Sequence, residues 1–424
     1  MKKIFLFAMT AAAMLFTACS SDENPAAELN DNADVQRIVL SVDNSGSGMQ
    51  TRAGRELISS EAKQSIENVK VIITKQSDNT IVFTKDYTDW DDTESEAYTS
   101  GGHGRQAEIV LSGEDKLAAG SYHIYAIGYS EGSQYTMGSD VAIKTELAKY
   151  IKTAVAPYNV FNANTILKAN GVTAEEIFAG YNSLTVSGSG IKTTVVLHRQ
   201  VAGVFVYADE IPFITGAAKL SLYASNNNSS LVLGNFLPAG GGELSANGGN
   251  TNNKVVNGYT SADAVTKIMS TNLSNWFSPI AADANNLIDA TNWIAHANFQ
   301  NGSVFMGNFL VPFRRYAGKY TFVLKLEDSS DNELRSWNIK LPSADLVGGD
   351  IHYWDGSAFA TTSTSATVTE YNIYRNHLYG IGTKVTDNPS DPGANDDPQT
   401  LNTKEDLVLK VNDNWEVIHT MEIE

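Results

Sequence analysis

Cysteine is almost absent from this chain of 424 residues: the single one is Cys19. One thiol permits no internal disulfide, no CxxC redox pair and no cysteine-rich zinc or iron–sulfur site. Basic clusters are missing too. With 30 Lys and Arg against 48 Asp and Glu the formal charge is −18, which repels a phosphate backbone and removes nucleic acid from the expected partners. Beyond the first sixteen residues no apolar run approaches the ~20 residues that a bilayer-spanning helix requires. GxSxG, GxxxxGK[ST], HExxH and a GxGxxG following a strand are all lacking, and with them the common catalytic and nucleotide-binding signatures. Seven histidines (His103, His123, His198, His296, His352, His377 and His419) stand singly, without the i, i+2 or i, i+4 spacing that puts two imidazoles on one metal. The acidic run Asp89, Asp91, Asp92, Glu94, Glu96 and the acidic stretch 387–398 lack the spacing and central glycine of an EF-hand, so both read as solvated loops. The expectation is a protein that is not an enzyme, with no catalytic residue, cofactor or metal site.

What is present begins at the N-terminus. Met1-Lys2-Lys3, an apolar run from Ile4 to Phe16 and then Thr17-Ala18-Cys19 form the order of a secretion signal. Leu15-Phe16-Thr17-Ala18-Cys19 looks like a bacterial lipobox, in which the chain is cut before the cysteine and its thiol receives a diacylglyceryl group. Residues 1–18 are therefore expected as the signal peptide and Cys19 as the lipidation site. Ser20-Ser21-Asp22-Glu23-Asn24 resembles the acidic signal that routes lipoproteins to the outer face of the outer membrane, and 20–34 reads as a solvated tether.

Ile38, Leu40 and Val42 alternate with Val39, Ser41 and Asp43, which predicts a strand, and Asn44-Ser45-Gly46-Ser47-Gly48 ends it. The following loop exposes Thr51-Arg52-Ala53-Gly54-Arg55 to a protease. Further short β runs recur at 69–74, 81–84, 107–111, 121–129, 193–197, 201–207, 303–312, 320–326, 337–341 and 367–374, separated by turn clusters. Helical spacing is confined to 145–155 (Leu147, Ile151, Val155) and 261–273 (Ala264, Val265, Ile268, Met269), the latter with Ser261 as N-cap. Gly240 to Asn253 reads as a mobile loop. Many short strands and few helices predict a mainly β protein of β-sandwich class, with a boundary near Ser187-Gly188-Ser189-Gly190 between two modules. Trp337, Trp354 and Trp415 fall in or beside β runs, where core burial is the commoner role.

At the C-terminus Leu407, Leu409, Val411, Asp413, Trp415, Val417, His419, Met421 and Ile423 take every second place. This reads as one long amphipathic strand of about 60 Å, or two joined by a small bend at Asn412-Asp413-Asn414, with one face apolar over almost its whole length, and that face needs a groove. A final hairpin on its own domain and a strand given to another molecule both satisfy that need.

Taken together, the lipobox, the detachable N-terminal strand, the arginine loop and the amphipathic tail give a sequence that resembles the fimbrillin-like type V pilins of Gram-negative anaerobes. Similar wording runs through Leu117 to Tyr129 (LAAGSYHIYAIGY), Val196 to Ala202 (VLHRQVA) and Tyr371 to Tyr379 (YNIYRNHLY). The resemblance implies two tandem transthyretin-like or Greek-key sandwiches at 53–188 and 189–400, a lipidated propeptide at 19–52 and a donor strand at 401–424. It implies cleavage by an arginine-specific protease between Arg52 and Ala53, loss of the strand carrying Ile38, Leu40 and Val42, and its replacement by the tail of another copy through Leu407, Leu409, Val411, Trp415, Val417, Met421 and Ile423. The implied partners are further pilin subunits, accessory tip and anchor subunits and the protease, in an outer-membrane lipoprotein precursor that becomes a surface fimbrium. A lipid-retaining anchor subunit and a glycan-binding surface lipoprotein are the alternatives.

Overall fold

The structure, a computed structural model, describes residues 35–42, 66–97, 105–137, 140–154, 166–168, 173–188, 190–226, 228–233, 254–259, 264–279, 293–295, 303–315, 319–340, 349–357, 359–364, 372–382, 399–401 and 406–412. From Ala33 onward the chain forms one compact unit. It is mainly β, as the run of short alternating segments predicts. One five-residue helix, Ile143–Leu147, and two single 3-10 turns are the helical content of the described residues.

Eight strands make the first sheet, in the order Ile81–Tyr87, Asn68–Lys75, Gly120–Tyr129, Ile177–Val186, Ile191–Arg199, Gln36–Val42, Arg105–Leu111, Glu96–Ala97. The second, of ten strands, runs Thr173–Ala174, Val304–Leu310, Ala202–Asp209, Leu378–Ile381, Asp406–Asn412, Glu333–Lys340, Phe322–Glu327, Lys219–Ala224, Thr266–Asn272, with Gln399–Thr400 pairing beside Ala202–Asp209. The expected boundary at Ser187–Gly190 falls inside the first sheet. The chain crosses to the second sheet at Gln200–Val201, where one strand ends and the next begins.

Several strands bury both faces, which explains why their sequences read as apolar runs rather than as clean alternation. In Gly120–Tyr129, Tyr122, Ile124 and Ala126 join Ile38, Leu40 and Val42 in one core, while Tyr125, Ile127 and Tyr129 turn the other way. There they meet Phe205 and Tyr207, whose strand sends Val204, Val206 and Ala208 into a third core with Leu324, Trp337 and Leu407. Two-sided strands thus tie three cores together.

Two helical expectations are corrected. The segment 145–155 shortens to the helix Ile143–Leu147, because Ile151 is 59% exposed and gives a continued helix nothing to pack against. Over 261–273 the chain instead forms the edge strand Thr266–Asn272. Its pairing with Lys219–Ala224 skips Ile268, a β-bulge that sends the neighbours Ile268 and Met269 to the same core and so imitates helical spacing. Of the strand expected at 367–374 the described part, Asn372 to Tyr374, holds only a bridge between Ile373 and Phe313.

Candidate strand-exchange site

The N-terminal strand is not an edge strand. All seven residues of Gln36–Val42 pair on both sides: parallel with Ile191–Leu197, from Gln36 opposite Ile191 to Val42 opposite Leu197, and antiparallel with Arg105–Leu111. Ile38, Leu40 and Val42 are fully buried against Ile109, Leu111, Val195 and Leu197. Burial of three such side chains contributes about 5–9 kcal/mol, a large part of the ~5–15 kcal/mol by which a folded domain is stable. On the outer face Arg37 meets Glu108 at 2.7 Å, a partly exposed pair that contributes little.

The two ends of this seat are built differently. At the start, Gln36 is fully buried, its Nε2 donating to the Leu117 carbonyl at 2.8 Å and its Oε1 accepting from the Leu117 N–H at 2.7 Å. At the finish, Val42 faces Arg105, whose guanidinium donates to the carbonyls of Trp90, Asp92 and Ser95 at 2.7–2.9 Å. That grip and the bonds from the Thr88 and Asp89 N–H groups to the Glu94 carboxylate fold the acidic run into a cap over Trp90. Were Gln36–Val42 absent, Arg105–Leu111 would keep only the two-residue neighbour Glu96–Ala97. The sheet would then open into an apolar groove with two unpaired edges.

The tail strand is seated in the second sheet. Asp406–Val408 pair parallel with Asn338–Lys340, and Leu409–Asn412 pair antiparallel with Leu378–Ile381. Leu407 is fully buried in the core with Trp337, and the Trp337 indole donates to the Leu401 carbonyl at 3.1 Å. Of the expected donor residues, Leu407, Leu409 and Val411 thus belong to a strand of the chain's own sheet. Trp415, Val417, Met421 and Ile423 lie outside the described residues, as do Cys19, Arg52, Ala53 and the stretches 240–253 and 387–398.

A buried junction links the flanks of the two strands. Arg199, at the end of the strand beside Gln36–Val42, pairs with Glu176 at 2.6 Å with both side chains fully buried, lies over the Phe178 ring and donates to Asn376 at 3.2 Å. Asn376, with its left-handed φ of 56°, leads into Leu378–Ile381 beside the tail strand. Next to them the Arg375 guanidinium donates to Gln200 Oε1 at 3.2 Å. Burial, and then the Arg375 charge, push His198 down to about 4. The segments 196–202 and 371–379, 175 residues apart at Gln200 and Arg375, therefore meet in space.

Trp90, Trp276, Trp337 and Trp354 are all buried, and the tilted rings of His123, Tyr125 and Tyr181 offer no flat platform. Among the described residues no group of three or more His, Cys, Asp or Glu is placed to hold a metal ion. No helix of the described residues is long and apolar enough to cross a membrane. Sequence reading found the apolar triplet but missed Gln36 and Leu117. The available signal was a lone amide two places before three alternating apolar residues.

No protein-family model matches the chain, and no curated protein matches it. Solved structures similar to it include fimbrial proteins, putative adhesins and a putative polysaccharide-binding protein from Bacteroides thetaiotaomicron, the last 12% identical over 80% of this chain and 98% of that one with a TM-score of 0.37. A fimbrial assembly protein from Parabacteroides distasonis is 10% identical, with 82% of this chain and 91% of that one covered and a TM-score of 0.34. The tip fimbrial protein from Porphyromonas gingivalis, C-terminally truncated, is 9% identical over 83% and 96% with a TM-score of 0.34. The fimbrial anchor protein from the same organism is 9% identical over 80% and 99% with a TM-score of 0.31.

Proposed function

We propose that the chain is the stalk subunit of a cell-surface fimbrium, a structural protein with no enzymatic role. On this reading it is exported as a lipoprotein on Cys19, carried to the outer face of the outer membrane and cut between Arg52 and Ala53 by an arginine-specific protease. The cut severs Gln36–Val42 and the lipid from the remaining chain. A strand from another copy then fills the vacated groove, and because such head-to-tail contacts do not close, the subunits grow into a filament that accessory tip and anchor subunits complete.

The observation that carries this reading is the seat of Gln36–Val42: paired along both sides, buried on its apolar face, and joined to the next described strand only through 43–65, where Arg52 and Arg55 lie. Arg37 sits inside the ladder, a poor site for a protease that needs extended free backbone. The seat is seven residues long. Residues 413–424 carry Trp415, Val417, Met421 and Ile423 on one alternating face, interrupted by His419, and are long enough to span it while Leu407 stays in its own core. The burial of four tryptophans speaks against the glycan-binding alternative.

Treatment of the precursor with an arginine-specific protease is expected to give SDS-resistant ladders, and deletion of 413–424 to leave monomers. Polymers from the truncated chain would sink the donor assignment. Arg52→Ala is expected to leave a lipid-anchored monomer, and unchanged processing would move the cut to Arg55.

A further inference from the structure

An alternating apolar strand does not define its own register in the groove. A slip of one residue turns Ile38, Leu40 and Val42 out of the core, but a slip of two keeps the same face inward. The same ambiguity holds for any other alternating strand offered to the groove, including residues 413–424. Some feature besides the apolar residues has to fix the register and separate one occupant from another.

Gln36 has the required properties. It is fully buried, and both polar ends of its side chain engage one residue, Leu117, through the two hydrogen bonds of 2.8 and 2.7 Å. Leu117 lies between the 3-10 turn Gly113–Asp115 and the strand Gly120–Tyr129, outside any strand ladder, and is itself buried. Its N–H and C=O therefore rely on what the strand in the groove brings. A two-residue slip would set Ile38 opposite them and leave a buried donor and acceptor without partners, or Asp34, whose carboxylate has no donor for the Leu117 carbonyl.

We infer that Gln36 sets the register and the identity of the strand that this groove accepts, by clamping the Leu117 backbone. Its consequence for assembly rests on the strand-exchange reading above. The only side-chain amide in 413–424 is Asn414, whose alternate neighbours are Glu416, Ile418 and Thr420 in one direction and Asn412, Lys410 and Val408 in the other. That segment cannot place an amide two residues from an apolar triplet in either orientation. The resident strand thus holds an advantage over the tail, and the groove stays closed to the tail while 43–65 keeps the resident strand tethered.

The test uses the full chain with Cys19→Ser, which removes the only native thiol. Cysteines replace Val39 and Glu108, register mates on the outer face, or Val39 and Val110, which is two residues out of register. With Gln36 present only the first pair is expected to form a disulfide; with Gln36→Leu both pairs close. Gln36→Glu keeps the acceptor for the Leu117 N–H, loses the donor, and serves if the leucine variant does not fold. Chains with the same Gln36 variants but without the two added cysteines are cut in 43–65 with an arginine-specific protease and mixed with a peptide of residues 413–424. Release of the fragment carrying 36–42 is expected about 100-fold faster from Gln36→Leu than from the parent, the effect of losing two buried hydrogen bonds, with Gln36→Glu between. One register and equal release rates in all variants would overturn the inference and leave strand exchange standing. Slipped registers with no displacement by the peptide in any variant would uphold the role of Gln36 and overturn strand exchange.

Discussion

The two terminal strands each lie between neighbours in a sheet, yet they are held in different ways. Every residue of Gln36–Val42 has a partner on both sides, whereas in the tail Asp406–Val408 pair on one side only and Leu409–Asn412 on the other only, among the described residues. The first strand is held along its length by two ladders and at its start by a side-chain clamp. The second is a staggered bridge from one neighbour to the next, fixed at Leu407. Backbone pairing restrains sliding and release, so the tail is the easier of the two to lift. On the proposed strand-exchange function, the element to be exchanged is thus the more firmly held one.

The largest expected effect tests whether both strands depend on the junction between them. Arg199→Met, leaving Glu176 buried without its partner, is expected to cost about 3–5 kcal/mol in denaturant unfolding, while Arg199→Met with Glu176→Met recovers most of it. Hydrogen exchange should rise in both 36–42 and 406–412; a rise in only one would show that the strands are independent.

Next comes a matched pair. Leu40 and Leu407 are both fully buried, so Leu40→Ala and Leu407→Ala should each cost about 2–5 kcal/mol. The amides of 406–412 should nevertheless exchange faster than those of 36–42 in the parent chain. Equal protection would break the contrast in pairing drawn above.

The smallest effect is acid sensitivity. His198 is held at about 4 against an ordinary value near 6.5, so its protonation favours the unfolded chain. The stability it contributes is complete above pH ~6.5 and is lost as the pH falls toward 4. His198→Gln should flatten that slope in a pH series of unfolding curves, and in the parent exchange should rise first in Ile191–Arg199, beside the N-terminal strand.

Much of the first seat was legible in the residues. The triplet Ile38, Leu40, Val42 and the segment Thr193–Leu197 announce their strands because a period of two survives where one face is buried, while Val69–Thr74 and Ser121–Tyr129, buried on both faces, announce theirs as apolar β-rich runs between turn clusters. Leu378–Ile381, four residues buried on both faces, has no such period, and Ile177–Val186 is buried without a break over its first four residues; neither strand was expected. The bulge at Ile268 produced a false helix for a related reason: two adjacent apolar residues facing one core imitate a helical stripe. The lone amide of Gln36 is visible beside the triplet, but its role is not, because that depends on Leu117, 81 residues away.

The sequence by itself determined the β class, the scarcity of reactive side chains and the apolar faces of both terminal strands, since composition and a two-residue period follow from local chemistry. Only the tertiary structure decided where those faces go. It placed Gln36–Val42 between strands that begin 69 and 155 residues after Gln36, and it laid Leu407 in the chain's own core rather than on an open face. Pairing partners and register depend on contacts between distant segments, and a hydrophobic pattern that repeats every second residue is satisfied equally well by many of them.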